Sequence, residues 1–262
     1  MRFARTFVLA FLFFPILLSA QQTATPTVQS SPQALALLQN SLAALTGGKS
    51  ITDVTLSGTA RRIAGSDDES GTATLKAIAG ASRLDLSLSG GTRSEIANFT
   101  TAPATGSWSG PDGVAHAMAY QNLLIDPGLF PGFTLAPFLN SPTAVVTYIG
   151  AETKNGMAVT HLSAYQLPPG TKGDLLRHLS QIEFFLDAAT NLPLFFDLNI
   201  HADSNGLLDI PVEIRFSDYR TVNGPQIPFH IQKYINNSLE LDLQFQSATL
   251  NSGLTASQVG AQ

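Results

Sequence analysis

The chain contains no cysteine. Thiol catalysis, thiolate metal centres and thiol redox chemistry are therefore excluded. Disulfide staples are excluded too, and a chain of 262 residues can bury a core without them. Positive charge is scarce: 14 Lys and Arg against 19 Asp and Glu give a formal net charge of −5. The nearest candidate for a basic patch is the pair Arg61-Arg62, which is too little for a nucleic-acid interface. Beyond the N-terminus there is no second long apolar run, which excludes a polytopic membrane protein. Catalytic signatures are missing as well. Gly106-Ser107-Trp108-Ser109-Gly110 has the glycine spacing of a nucleophile elbow, but Trp108 stands in the nucleophile's place. No nucleophile, base and orienting group can be assembled, so the chain reads as a non-enzyme that needs no cofactor.

The five histidines are His116, His161, His178, His201 and His230. None forms His-x-x-x-His or His-Glu-x-x-His, and spacing gives no support to a zinc site built from His161, His201 and His230. His201 and His230 fall at polar-phase positions of strands and read as surface residues. Asp67, Asp68 and Glu69 lack the spacing of a calcium loop and read as a solvated turn between Ser66 and Gly71. Trp108, the only tryptophan, reads as a core residue, with the mouth of a pocket as the alternative.

Met1 to Ala20 has the layout of a signal peptide. Arg2 and Arg5 form its basic start. Phe7 to Leu18 is its apolar run, too short for a membrane-spanning helix of about 20 residues. Ser19-Ala20 supplies the small residues before a cut at Gln21. No cysteine stands there, so a bacterial lipoprotein anchor is excluded. The expected product is a periplasmic or secreted protein with no membrane span after cleavage. Residues 21–31, rich in Thr, Gln, Pro and Ser, read as a disordered leader. One domain is expected over 32–250, followed by a polar, fraying tail over 251–262.

Within the domain, Ser31-Pro32 opens a helix with Leu35, Leu37, Leu38, Leu42 and Leu45 at near-helical spacing, and Gly47-Gly48 closes it. Strands follow. Val54, Leu56, Gly58 and Ala60 alternate with Thr55, Ser57 and Thr59. Residues 72–79, 83–89 and 92–98 continue the series. Residues 114–125 read as a helix. Residues 126–138, dense in Pro, Gly, Phe and Leu, read as an irregular apolar lid. Residues 143–151 and 157–167 form a strand pair, and 174–179 a short helix. The clearest alternation lies between Ser180 and Leu250: Ile182, Phe184 and Leu186, then Leu194, Phe196, Leu198 and Ile200, then Val212, Ile214 and Phe216, then Leu239, Leu241, Leu243 and Phe245. A period of two places these side chains on one face of an antiparallel sheet, with a wet face opposite. The inner-face candidates for touching a ligand are Phe184, Phe196, Phe216, Phe229 and Phe245, and the lid candidates are Phe130, Phe133 and Phe138.

Two turn segments carry a family resemblance. Phe184-Phe-Leu-Asp187-Ala-Ala-Thr190-Asn191-Leu-Pro193 is a strand, a polar turn and a strand opening at proline. Phe216-Ser-Asp-Tyr219-Arg220-Thr-Val-Asn223-Gly224-Pro-Gln-Ile227-Pro228 is a strand ending in an Asp-Tyr-Arg corner, a turn with Asn-Gly and a strand opening at Ile-Pro. Together they resemble the C-terminal hairpins of the LolA-like family of exported lipoprotein-carrier and lipid-binding proteins, which includes LppX-like and RseB-like branches. The resemblance implies an α+β fold: a strongly curved antiparallel sheet forming an incomplete barrel. Helices and the lid would close its concave side over a hydrophobic cavity for acyl chains. A hydrophobic ligand, lipid or acyl chain, is then the expected partner of a soluble carrier or sensor. The alternative is an envelope protein-protein interaction module with a filled core and no small ligand.

Overall fold

A computed structural model of the chain describes residues 29–125, 129–167, 170–171 and 173–260. The expected signal peptide, most of the leader, the start of the lid at Asp126 to Gly128 and the Pro168-Pro169 break lie outside the described residues.

The elements are α1 (Pro32–Thr46), β1 (Asp53–Ala64), β2 (Asp67–Ile78), β3 (Ala81–Leu88), β4 (Gly91–Asn98), β5 (Thr105–Ser109), β6 (Ala115–Ala117), α2 (Tyr120–Leu123) and α3 (Pro131–Asn140). They continue with β7 (Ala144–Lys154), β8 (Met157–Gln166), α4 (Asp174–Leu179), β9 (Gln181–Asp187), β10 (Pro193–Ala202), β11 (Asn205–Thr221), β12 (Gln226–Ile235), β13 (Ser238–Leu250) and a closing 3₁₀ turn (Ala256–Val259).

All thirteen strands form one antiparallel sheet in the order β6-β5-β4-β3-β2-β1-β13-β12-β11-β10-β9-β8-β7. Two meanders, β1 to β6 and β7 to β13, are joined through the first and last strands. The sheet does not close, so β6 and β7 are its free edges. The chain must travel from one free edge to the other between β6 and β7, and α2 and α3 lie on that crossing. Together the curved sheet and its helices make the α+β incomplete barrel that the resemblance implied.

The central strand β13 carries two irregularities. Ser57 pairs with Ser247 and Gly58 with Phe245, leaving Gln246 as an extra residue. Lys233 pairs with Leu241 and Tyr234 with Leu239, leaving Glu240 as a second one. Such bulges bend a strand and increase its twist, which helps a wide sheet roll up. Gly58 permits the first: a Cβ there would lie 2.2 Å from the Gln244 carbonyl oxygen. Tight turns finish the hairpins. Asn155-Gly156 and Asn236-Asn237 both have positive φ throughout, the backbone that two-residue hairpins require.

α1 forms as its sequence dictates. Ser31 Oγ accepts from the Ala34 N–H at 3.3 Å, Pro32 occupies the first turn, and Gly47 in the left-handed conformation donates to the Ala43 carbonyl at 2.9 Å. Its buried seam is Ala34, Leu38, Ser41 and Leu45, turned slightly from the leucine stripe seen in sequence. The residues before α1 also protect an edge. The Ser31 N–H donates to the Val146 carbonyl at 2.9 Å, and Ser30 Oγ accepts from the Val146 N–H at 3.0 Å. Hydrogen bonds along the free strand β7 are thereby satisfied locally instead of being offered to another chain.

Four sequence expectations are corrected. Residues 114–125 are not one helix. They form β6 and the four-residue α2, because Ala115 to Ala117 find a strand partner in β5. The lid is not irregular: Pro131 at a first helical turn starts α3, and Pro137 is tolerated near its end. Ser66 to Gly71 is not a loop, since Asp67 already pairs with Ala64 and the acidic cluster lies on a strand. The tail does not fray. Val259 is fully buried beside Ala81, and Asp53 accepts hydrogen bonds from the Ser252 N–H, Ser252 Oγ and the Gly253 N–H at 2.8 to 2.9 Å. These bonds hold Asp53 below its ordinary pKa of 3.8, although burial works against them.

The wet face is not wholly wet. Val159, Phe185 and Phe195 form a small apolar cluster there. Lys154 covers it with Nζ 4.3 Å from the Phe185 ring centroid. The same ammonium lies 2.6 Å from Asp197 and 2.8 Å from Glu213.

Candidate ligand-binding cavity

The inner face of the sheet divides into a filled half and an open half. The filled half lies beneath α1 and α3. Phe138 of α3 meets Phe184 edge-on at 5.3 Å. Phe184 meets Phe196 at 4.9 Å, and Phe196 meets Phe216 at 4.8 Å. Phe130 packs edge-on against Phe133 at 5.0 Å, and Phe229 and Phe245 belong to the same core. The structure thus brings all eight candidate phenylalanines into one apolar cluster, with Phe133 the least buried. Pairs of this kind contribute about 0.5–1.5 kcal/mol beyond the burial of their surface.

The open half is a cavity of about 230 Å³, and none of the eight phenylalanines is among its lining residues. Strand alternation makes its walls. Leu75 of β2, Leu84 of β3 and Ala97 of β4 form one side. Leu198, Val212 and Ile214 of β10 and β11 form the other, and Leu241 of β13 lies between them. The roof is Met118, Ala119, Asn122, Ile125 and Leu129 from the crossing segment. The volume is below the roughly 300–1,000 Å³ of pockets for drug-sized ligands. That size suits a single chain better than a lipid with several.

At one end the apolar cavity adjoins a polar vestibule of about 180 Å³ lined by Arg62, Arg93, Glu95, Trp108, Lys233 and Glu240. Arg93 reaches Glu69 at 2.9 Å, and Arg62 reaches Glu69 at 3.5 Å and Glu240 at 3.7 Å. Lys233 Nζ lies 3.7 Å from Glu240, the bulge residue of β13. Within the described residues, the buried Arg93 Nε and Glu240 Oε2 have no hydrogen-bond partner. Trp108 stands at the junction of both spaces, 46 % exposed and stacked on His116 at 4.3 Å. The expectation of a core tryptophan is therefore corrected. β5 lies next to the edge strand of the sheet, and Trp108 lines both spaces there, so the alternative reading as a mouth residue applies.

The roof is strapped down at one place. Asn122 of α2 donates from Nδ2 to the His201 carbonyl at 2.9 Å and accepts from the His201 N–H at 2.7 Å. Gln121 Nε2 donates to the Ala202 and Asp203 carbonyls, each at 3.2 Å.

The histidine trio weighed in the sequence does not assemble. His161 bridges Glu152 and Glu183 while stacking on Phe185. His230 bonds Ser217 and Asp242. His201, expected at the surface, is only 3 % exposed, because the α2 strap and α4 cover the end of β10. Its neighbour is His178, and both imidazoles meet Asp209. Periodicity had placed Ile214 and Leu241 inward. Which part of the inner face stays open depends on where the crossing segment lies, and no residue pattern encodes that.

No family model and no curated protein matches the chain. Among the solved structures that share its architecture are two of LolA-like proteins. One is a Vibrio parahaemolyticus domain inferred to be an outer membrane lipoprotein-sorting protein domain, with TM-score 0.56 and 13 % identity, covering 87 % of this chain and 96 % of that one. The other is the LolA superfamily protein NE2245 from Nitrosomonas europaea, with TM-score 0.51 and 9 % identity, covering 86 % of this chain and 96 % of that one. At such identities the likeness speaks for the fold alone. The chain has a LolA-like fold.

Proposed function

We propose that this protein is an exported carrier or sensor that holds one acyl chain of an amphiphilic ligand. The chain lies in the cavity between Leu84, Ile214 and Leu241, and the polar end of the ligand lies in the vestibule of Arg62, Arg93, Lys233 and Glu240. The observation that carries this reading is the adjacency of an apolar space and a charged one, which share Leu84, Glu95, Trp108, Lys233 and Leu241 as walls. Apolar walls with a few placed polar groups are the usual make-up of a small-molecule site. The signal-peptide layout supports export, and among the described residues no helix is long and apolar enough to cross a membrane. The similarity to a domain inferred to sort lipoproteins supports the same direction.

The cavity favours this reading over an interaction module with a filled core. The eight phenylalanines enter the proposal as the packed floor that a longer chain reaches only when α3 moves. No catalytic step is part of it. Native mass spectrometry with organic extraction of the protein from an exported fraction tests the reading. An extractable lipid bound one to one supports it. A clean apo mass that takes up no added lipid overturns it.

A further inference from the structure

We propose that His178, His201 and Asp209 form a binding site for a divalent transition-metal ion of the zinc class. The site is remote in role from the acyl-chain cavity and does not depend on that reading. Among the described residues these three side chains each offer a donor atom, and the donors lie within 4.8 Å of one another. His178 Nε2 is 2.8 Å from Asp209 Oδ1, and His201 Nε2 is 3.1 Å from the same oxygen. Ligands placed about 2.0–2.2 Å from a tetrahedral zinc ion are about 3.3 Å apart. Two of the three separations are therefore already close to those of a coordinated ion.

The elements bring the donors together from three directions. His178 sits in the last turn of α4, His201 near the end of β10 and Asp209 near the start of β11. His201 is fixed by the strap that its own backbone makes with Asn122. His178 and Asp209 are each 41 % exposed, which leaves an entry path. Two nitrogen donors and one carboxylate, with a face open to water, suit a borderline ion such as Zn²⁺ better than Ca²⁺ or Mg²⁺, which prefer all-oxygen shells.

The proton balance is simple. Each imidazole now directs Nε2 at Asp209. On binding, Nε2 must present its lone pair, and the proton moves to Nδ1 or, from an imidazolium, to solvent. Binding therefore weakens on acidification. Among the described residues, the buried Nδ1 of His201 has no hydrogen-bond partner. An outer partner at such a nitrogen strengthens metal affinity about 10–100-fold, so this site is expected to bind more weakly than a fully supported one.

The test is calorimetric titration of tag-free, chelator-treated full-length protein with ZnCl₂, alongside His178→Ala, Asp209→Asn and the control His116→Ala/His230→Ala. The expected result is one Zn²⁺ per chain, affinity lowered at least about tenfold in His178→Ala and Asp209→Asn, and no change in the control. Co²⁺ in place of Zn²⁺ should give the strong visible bands of a four-coordinate site in the wild type and the control, and not in His178→Ala or Asp209→Asn. His178 is exposed, so its replacement should fold, and Asp209→Asn provides a second variant. Absence of saturable binding by the wild type overturns the proposal. So does binding that survives both substitutions, or that is lost equally in the control.

Discussion

The Tyr219 hydroxyl donates to the Pro193 carbonyl at 2.7 Å. The bond joins the Asp-Tyr-Arg corner at the end of β11 to the proline that opens β10, so the two turn segments that carried the family resemblance are one physical unit. Neither segment contributes a residue to the lining of the cavity or the vestibule. They pin the register of the strands beside the packed half of the inner face. Tyr219→Phe leaves the Pro193 carbonyl without this donor and should cost about 1–2 kcal/mol in urea unfolding. Burial holds the Tyr219 phenol well above its ordinary pKa of 10.0. The folded state therefore keeps a proton that the unfolded chain loses, and stability should fall as pH rises above about 10. That alkaline loss should be smaller in Tyr219→Phe.

The docked tail should answer to acid. Asp53 is held below its ordinary 3.8, so its contribution is fully present above that value and is lost as pH falls toward the folded one. Amide exchange at Ser252 and Gly253 should accelerate below about pH 4. Asp53→Asn should show the same acceleration at neutral pH, with a loss of about 1–3 kcal/mol in stability. Unchanged protection in the variant would mean that Val259, not Asp53, holds the tail.

On the outer face, Lys154 serves two carboxylates and an aromatic ring. Burial raises the pKa of Asp197, while the Lys154 and Arg215 hydrogen bonds outweigh burial at Glu213 and lower its pKa. Lys154→Met removes the shared cation and leaves two half-buried carboxylates facing each other. A loss of up to about 3 kcal/mol is expected in thermal or urea unfolding at neutral pH. The loss should shrink on acidification as Asp197 takes up a proton.

The roof strap should govern exchange more than affinity for the fold. Asn122→Ala removes both bonds to His201 and frees α2 at the cavity. Release of a bound fluorescent fatty acid should be several-fold faster in stopped-flow, with global stability lowered by only about 1–2 kcal/mol. An unchanged release rate would place ligand entry elsewhere on the rim.

The two halves of the inner face should behave differently under truncation. Phe196→Ala, in the packed half, should cost about 3–5 kcal/mol. Phe133→Ala, at the partly buried margin of that half and outside the cavity lining, should cost less than Phe196→Ala and leave ligand retention unchanged. A loss of retention would place the ligand beneath α3.

Much of the fold was legible because it rests on periodicity and turn chemistry. Alternation in 182–186, 196–200 and 241–245 fixed the inward faces, and Ser31-Pro32 with Gly47 fixed α1. Leu194, read as inward, packs instead on the outer cluster of Val159, Phe185 and Phe195, where the register shifts beside Pro193. What stayed hidden depends on distant parts of the chain. Trp108 looked like core because a lone tryptophan usually is, yet β5 lies near a free edge. His201 sat at a polar-phase position and was covered by α2, some eighty residues earlier. The lid looked irregular because Pro131 and Pro137 bracket it, while the first of them starts a helix. The phenylalanines stood out in the sequence by their size, and that size lets them fill their half of the face. The cavity is walled instead by the smaller Leu, Val, Ile and Ala side chains.

The most direct test of the proposed function is uptake of a fluorescent fatty acid by the wild type and by Ile214→Trp. Tryptophan at Ile214, the cross-strand neighbour of Lys233, would occupy the space between Leu84 and Leu241. The expected result is saturable one-to-one uptake by the wild type and a loss of at least about tenfold in the variant, with unfolding stability changed by less than about 1–3 kcal/mol. Equal uptake by the two proteins, or none by either, would contradict a ligand chain lying in this cavity.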